Sequence, residues 1–277
     1  MNSIAALLND AAGTLTGLVL GAVAGVRRGK AVHPKGVVHR ARLVVPGSSH
    51  APQGAELLAK PAAHGAIVRF SRSVGLPRPL PDLLGISIRV LDCYGLNQHQ
   101  DLLVVTSANL PVIHHVFLPA GDVQQRPYSS SLPFRAGDDL FLVGMLPSKT
   151  SPRPQGGDEL DRLGRAAATG QLHFNVAVAP VFGRFRAVAT LEVGERLPQG
   201  LDALRFDPFK TGGGLENAGW INGLRRRAYP MSQASWRFAR RDGYRVQDEA
   251  ERLLQAELGR NRRLRQPDSR ANSTDHA

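Results

Sequence analysis

Two runs of alternating character, LHFNVAVAPV (172–181) and RFRAVATLEV (184–193), are separated only by Phe182-Gly183. A connection that short cannot hold a crossover, so the two runs must form an antiparallel hairpin. Four earlier segments read the same way. KGVVHRARLVV (35–45) alternates apolar and polar residues, and AIVRFS (66–71), GISIRVLD (85–92) and DLLVVTS (101–107) follow, with Gly- and Pro-rich connectors between them. DDLFLVGML (138–146) fits strand or helix equally. The spacing predicts a helix over 159–170 that stops at Gly170, and a second one with charged faces over 249–265. Strands through the middle and helices late give an α+β chain: an antiparallel β-barrel of about eight strands with flanking helices. A barrel of that size can hold one small ligand or cofactor.

The chain divides into an apolar N-terminal helix (1–30), the barrel with a following loop and helix (31–245), and a C-terminal helix with a disordered tail (246–277). Residues 4–26 are mostly apolar, but Asn9 and Asp10 interrupt them and Arg27-Arg28-Gly29-Lys30 follows rather than precedes them. That order is wrong for a secretory signal, and the run is too broken for a membrane span. It reads as a helix packed on the protein or touching a membrane surface. The expected location is the cytoplasm, with peripheral membrane contact through this segment.

The single cysteine, Cys93, excludes an intrachain disulfide and CxxC zinc sites, and reads as a small buried hydrophobe. No GxGxxG, P-loop or HExxH is present, which leaves out the dinucleotide, nucleotide and zinc-protease signatures. Net charge is +12, which favours anionic partners without requiring one.

Five short strings carry more chemistry: VVH (37–39), VRFS (68–71), ANLP (108–111), LRFDP (204–208) and RRRAYPMSQ (225–233). In that order the chain resembles the haem catalase superfamily from about residue 36 to about residue 240, and in size it is nearer to minimal catalase-related peroxidases and allene oxide synthase relatives. The resemblance implies b-type haem. It makes Tyr229 the axial iron ligand, with Arg225 four residues earlier on the same helix face holding the phenolate. It makes His39 the distal histidine that moves a peroxide proton, Asn109 the amide that binds the peroxide, and Ser71 the hydroxyl that orients the imidazole. It pairs Arg69 with a haem propionate.

The sequence departs from the family pattern around the propionates. Gly36 stands where the family has arginine, Arg40-Ala41-Arg42 replaces Ala-Lys-Gly, and Met231 replaces an acidic residue. Trp236 holds the second propionate position with Arg237 one place later, so propionate binding must be rearranged through Arg42, Arg237 or Arg240. The implied activity is a haem-dependent oxidoreductase acting on hydrogen peroxide or organic hydroperoxides. Its alternatives are a lipid hydroperoxide dehydratase or lyase of the allene oxide synthase type, and a non-catalytic haem-binding or basic anion-binding barrel. The expected partners are the peroxide substrate and a second copy of the chain, with no specific nucleic acid.

Overall fold

A computed structural model of the chain describes residues 35–77, 80–218 and 243–265. The N-terminal segment 1–30, the tail after 265 and the segment carrying Arg225, Tyr229, Arg237 and Arg240 lie outside the described residues.

Eight antiparallel strands form a closed barrel. β1 (Lys35–Val45), β2 (Ala62–Arg72), β3 (Leu84–Val90) and β4 (Gln100–Thr106) form a meander. From β4 the ladder runs through β5 (Tyr128–Ser129) to β7 (Asp139–Pro147). On the other side β1 pairs with β9 (Arg186–Arg196), which pairs with β8 (Leu172–Pro180). Pairing of β7 with β8 closes the ring, and β6 (Phe134–Ala136) and β10 (Glu216–Asn217) extend β7 outside it. Among the flanking helices, α1 (Glu56–Ala59) and α2 (Glu159–Ala168) contribute Leu57, Leu58, Leu163, Ala166 and Ala167 to the interior. α3 (Gly243–Arg265) lies outside. The ambiguous segment 138–146 is therefore strand, and the expected hairpin at Phe182-Gly183 is present, with Gly183 N donating to Pro180 O at 2.8 Å.

Closure turns the period-two alternation into inside and outside. On β1, Val37, Ala41, Leu43 and Val45 face the interior. Opposite them on β2 stand Phe70, Ala66 and the ends of the strand. Val38 and Ile67 face outward into a second cluster with Leu201 and Leu204 of the turn after β9 and Leu254 and Leu258 of α3. β3 is buried on both faces because that layer covers it. Interior packing is aromatic at its centre: Phe70 meets Phe174 at 5.6 Å and Tyr128 meets Phe174 edge-on at 6.4 Å. Burial pushes the Tyr128 hydroxyl well above its ordinary range, and it donates to Val123 O at 2.7 Å.

α2 forms where expected. Asp158 caps it by accepting from Leu160 N and Asp161 N at 2.8 Å each, and Gly170 ends it at φ +68°. One expectation needs correction. Cys93 is half-buried, not fully buried. Elsewhere, His64 lies on β2, and His99 is buried with Nδ1 accepting from Asp92 N at 3.0 Å.

Two buried ion pairs fix loops to the barrel. Arg89 donates to both oxygens of Asp101 at 2.8 and 2.7 Å and to Arg205 O at 2.7 Å, and Asp101 also accepts from Asp207 N. This ties the LRFDP segment to the outer wall. At the end of β2, Arg72 bonds Asp82 and Glu159, while Asp82 accepts from the backbone N–H of Val74, Gly75 and Leu76. Removing the Asp82 carboxylate leaves a buried guanidinium half-paired and three donors unmet. Asp82→Ala should cost about 3–5 kcal/mol in urea unfolding, whereas Glu192→Ala, which breaks the exposed pair with Arg42, should cost less than about 1 kcal/mol. Equal losses would mean that the Asp82 network holds nothing.

Candidate functional site

The site is built around His39, which the register places opposite Val68 on the inner face of the barrel. Its ring is 1% exposed and meets Phe70 edge-on at 6.1 Å. The β1–β9 ladder is irregular here: His39 pairs with Arg196 and Ala41 with Val193, so Gly194 and Glu195 together face the single residue Arg40. Such a bulge bends the strand and turns a carbonyl away from regular pairing. Gly194 O is thereby bonded to His39 Nδ1 at 2.9 Å.

That bond decides the chemistry of the ring. A carbonyl only accepts, so Nδ1 carries the hydrogen and donates it. Burial lowers the His39 pKa, the Gly194 bond works against that, and the nearby Arg196 cation lowers it further. The ring is neutral near pH 7, and Nε2 therefore bears a lone pair. Nε2 is buried and has no hydrogen-bond partner among the described residues. A buried acceptor without a partner costs free energy unless a ligand supplies the donor. His39 is thus a preoriented base aimed by its backbone anchor.

The other expected site residues stand elsewhere. Arg69 is opposite Val38 and Ser71 is opposite Gly36, both on the outer face. Ser71 Oγ donates to Gly85 O at 3.5 Å, and strand alternation keeps it off the face that carries His39. Asn109 is half-buried in the loop after β4, where Oδ1 accepts from Phe185 N at 2.7 Å. Phe185 belongs to an outer-wall cluster with Leu142, Ala177 and Ala179, so Asn109 serves the β8–β9 hairpin there. The three residues expected to share one pocket occupy three places, because β1–β2 register and the loop path after β4 separate them. Arg225, Tyr229 and Arg237 lie outside the described residues, as does Arg240. Arg42 is exposed and pairs with Glu192 at 3.7 Å.

Arg69 is buried, with 7% exposure, against the expectation for an ordinary strand arginine. Burial lowers its pKa and the Asp202 carboxylate counteracts this, but a guanidinium remains a cation. Its position explains Gly36. A Cβ added at Gly36 would stand 2.7 Å from both Cζ and Nη2 of Arg69. The guanidinium of Arg69 thus lies over the strand position where the resemblance expects an arginine to begin. The backbone oxygen of Phe70 would stand 2.8 Å from the same Cβ.

Gly194 was not legible as a site residue, although a glycine inside the alternating run VATLEVGERL is a bulge signal. His114 and His115 are buried, with rings 4.6 Å apart. Their Nε2 atoms lie 2.8 and 3.2 Å from Val181 O. The described residues contain no group of three or more His, Cys, Asp or Glu side chains arranged to hold a metal ion.

No family model matches the chain, and no curated protein matches it. Among solved structures it is similar to a bacterial catalase, at 13% identity with a TM-score of 0.49, over 76% of this chain and 58% of that one. The chain spans less than two thirds of the length of that catalase.

The buried neutral histidines make stability acid-sensitive. Burial lowers the pKa of His39, of His99 and of His114, so each binds its proton more readily when unfolded. Their contribution is fully present above the unfolded value of about 6.5 and is lost as pH falls below it, toward the lowered folded values. The urea midpoint should therefore drop between about pH 7 and about pH 5, above the range where carboxylates titrate. His39→Gln should make that drop shallower. An unchanged slope would show that His39 is not buried in its neutral form.

Proposed function

We propose that this chain is a haem-dependent oxidoreductase that acts on hydrogen peroxide or organic hydroperoxides, with His39 as its distal base. The observation that carries the reading is the His39 ring: Nδ1–H is held by Gly194 O, and Nε2 is buried and has no partner among the described residues. A peroxide O–H is a donor of the size and polarity that this nitrogen lacks. The ordered strings from VVH to RRRAYPMSQ supply the second support, and they assign the iron to the Tyr229 phenolate with Arg225 beside it.

Of the described residues, His39 suits the distal side of such a cofactor in donor chemistry. Haem, when bound, would supply the redox capacity for breaking an O–O bond. The protein's part is proton management. His39 Nε2 accepts the proton of the hydroperoxide O–H and returns it to the departing oxygen, so that this oxygen leaves neutral. The Gly194 carbonyl holds the ring in the tautomer that can do this, and steadies the transient imidazolium through Nδ1–H. In this reading the backbone performs the orienting task that the resemblance gives to Ser71. Arg237, beyond the described residues, is the cation proposed for a propionate, whereas Arg69 faces away from the side that carries His39.

The test is reconstitution of the full chain with haemin. The expected spectrum is high-spin ferric with a tyrosinate charge-transfer band that Tyr229→Phe abolishes. His39→Gln should keep the Soret band and lower kcat/KM for peroxide by about 100- to 10,000-fold, the usual range for a proton-transfer group. Failure to take up haem, or a spectrum indifferent to Tyr229→Phe, would overturn the reading. Full peroxide turnover by His39→Gln would remove His39 from it.

A further inference from the structure

The exposed apolar surface of the described residues lies on loops rather than on strands. Eight large apolar side chains are exposed, and seven of them lie on three loops. Leu80, at 53%, is in the β2–β3 loop; Val112 and Ile113, at 57% and 41%, are in the β4–β5 loop; Phe182, at 46%, is at the β8–β9 turn. Only Leu96, in the β3–β4 turn, stands apart.

The three loops are physically joined. Asp82 and Ala120 exchange backbone hydrogen bonds at 3.1 and 2.9 Å. His114 Nε2 bonds Val181 O at 2.8 Å, and Asn109 Oδ1 accepts from Phe185 N. Within this assembly Val112 is held at φ +67°, a conformation that a β-branched side chain resists. Strain at an exposed apolar residue that is kept in place by buried hydrogen bonds points to a selected surface.

Charge identifies the occupant. Segments 107–121 and 181–186 contain two arginines, Arg184 and Arg186, and no Asp or Glu, and Asp122, which follows, is paired with Arg162 at 2.7 Å. Arg184 and Arg186 are exposed on either side of the buried Phe185 ring. The nearest exposed carboxylates by register, Asp138 and Asp139 in the β6–β7 turn, share that hairpin with the exposed Arg135. A protruding set of apolar loop tips flanked by arginines, on a chain of net charge +12, suits a layer that is apolar inside and anionic at its face. No described helix is long and apolar enough to cross a membrane.

We infer that the β4–β5 loop and the β8–β9 turn form a docking surface for an anionic lipid bilayer, with Val112, Ile113 and Phe182 entering the acyl boundary and Arg184 and Arg186 meeting the headgroups. The inference does not depend on haem or on His39. It also differs from contact through residues 4–26, which belongs to another part of the sequence.

Flotation of the full chain with vesicles tests it. The protein should bind phosphatidylcholine vesicles containing phosphatidylglycerol at low salt, and bind pure phosphatidylcholine weakly. Arg184→Gln with Arg186→Gln should weaken binding by roughly thirtyfold, the effect of two basic residues near the surface. Ile113→Asp with Phe182→Asp should weaken it by at least about tenfold, and Leu96→Asp should leave it unchanged. Phe182→Trp keeps the apolar ring, so its extra fluorescence should be quenched by brominated lipid even where the double aspartate variant does not fold. Parent-like binding by the loop variants, or loss of binding only in Leu18→Asp with Val23→Asp, would overturn the inference. So would light scattering that shows the loop surface buried between two copies of the chain.

Discussion

Pairing of β7 with β8 is the constraint on which the rest of the structure depends. Until those two strands meet, the sheet has two faces of equal standing, and alternation along β1 says only that His39 and Arg69 face apart. Once the ring closes, one face becomes a dry interior around Phe70, Phe174 and Tyr128, and the other becomes a wall for α3 and the loops. The same covalent arrangement then gives opposite fates to neighbouring residues. His39 is neutral and has no partner at Nε2 among the described residues, while Arg69, one register step away, keeps its charge within reach of Asp202. Closure also explains why position 144 is a glycine, since a Cβ there would meet the Phe185 ring at 2.6 Å on the closely packed outer wall.

The sheet was largely legible in the sequence because its strands are long and their alternation is strict. β1, β8 and β9 were marked by period alone, and Phe182-Gly183 left no connection except a hairpin. What could not be read were features with no periodicity of their own. β5, β6 and β10 are two or three residues long and exist because neighbours present unpaired backbone. The Arg72–Asp82–Glu159 and Arg89–Asp101 networks join residues up to 87 positions apart, and no local pattern announces such pairs.

For the site, legibility was divided by the same rule. His39 could be picked out because a local string surrounds it, and the structure gives it an inward position. The company expected for it could not be derived from strings. Ser71 follows Phe70, which is inside, so Ser71 is outside as long as β2 runs without a bulge, and the β1–β2 ladder is regular over its whole length. Asn109 lies three residues beyond β4, where direction is set by the loop's bonds to Phe185 and Val181 rather than by the strand. A motif names residues in order along the chain, whereas a pocket requires them on one face.

The bulge at Gly194 shows how a single irregularity can fix the orientation and tautomer of a buried side chain. One extra residue in β9 tilts a carbonyl toward the interior at the level of His39. That carbonyl selects the Nδ1–H tautomer, leaves the lone pair on Nε2, and fixes the ring without any side-chain partner. A side-chain hydroxyl can rotate to donate or accept, and so can tolerate either tautomer; a carbonyl cannot. The backbone anchor is therefore the stricter device. It ties the basicity of His39 to the integrity of the β1–β9 ladder, so that whatever flattens the bulge changes the protonation chemistry at Nε2 before it changes the fold.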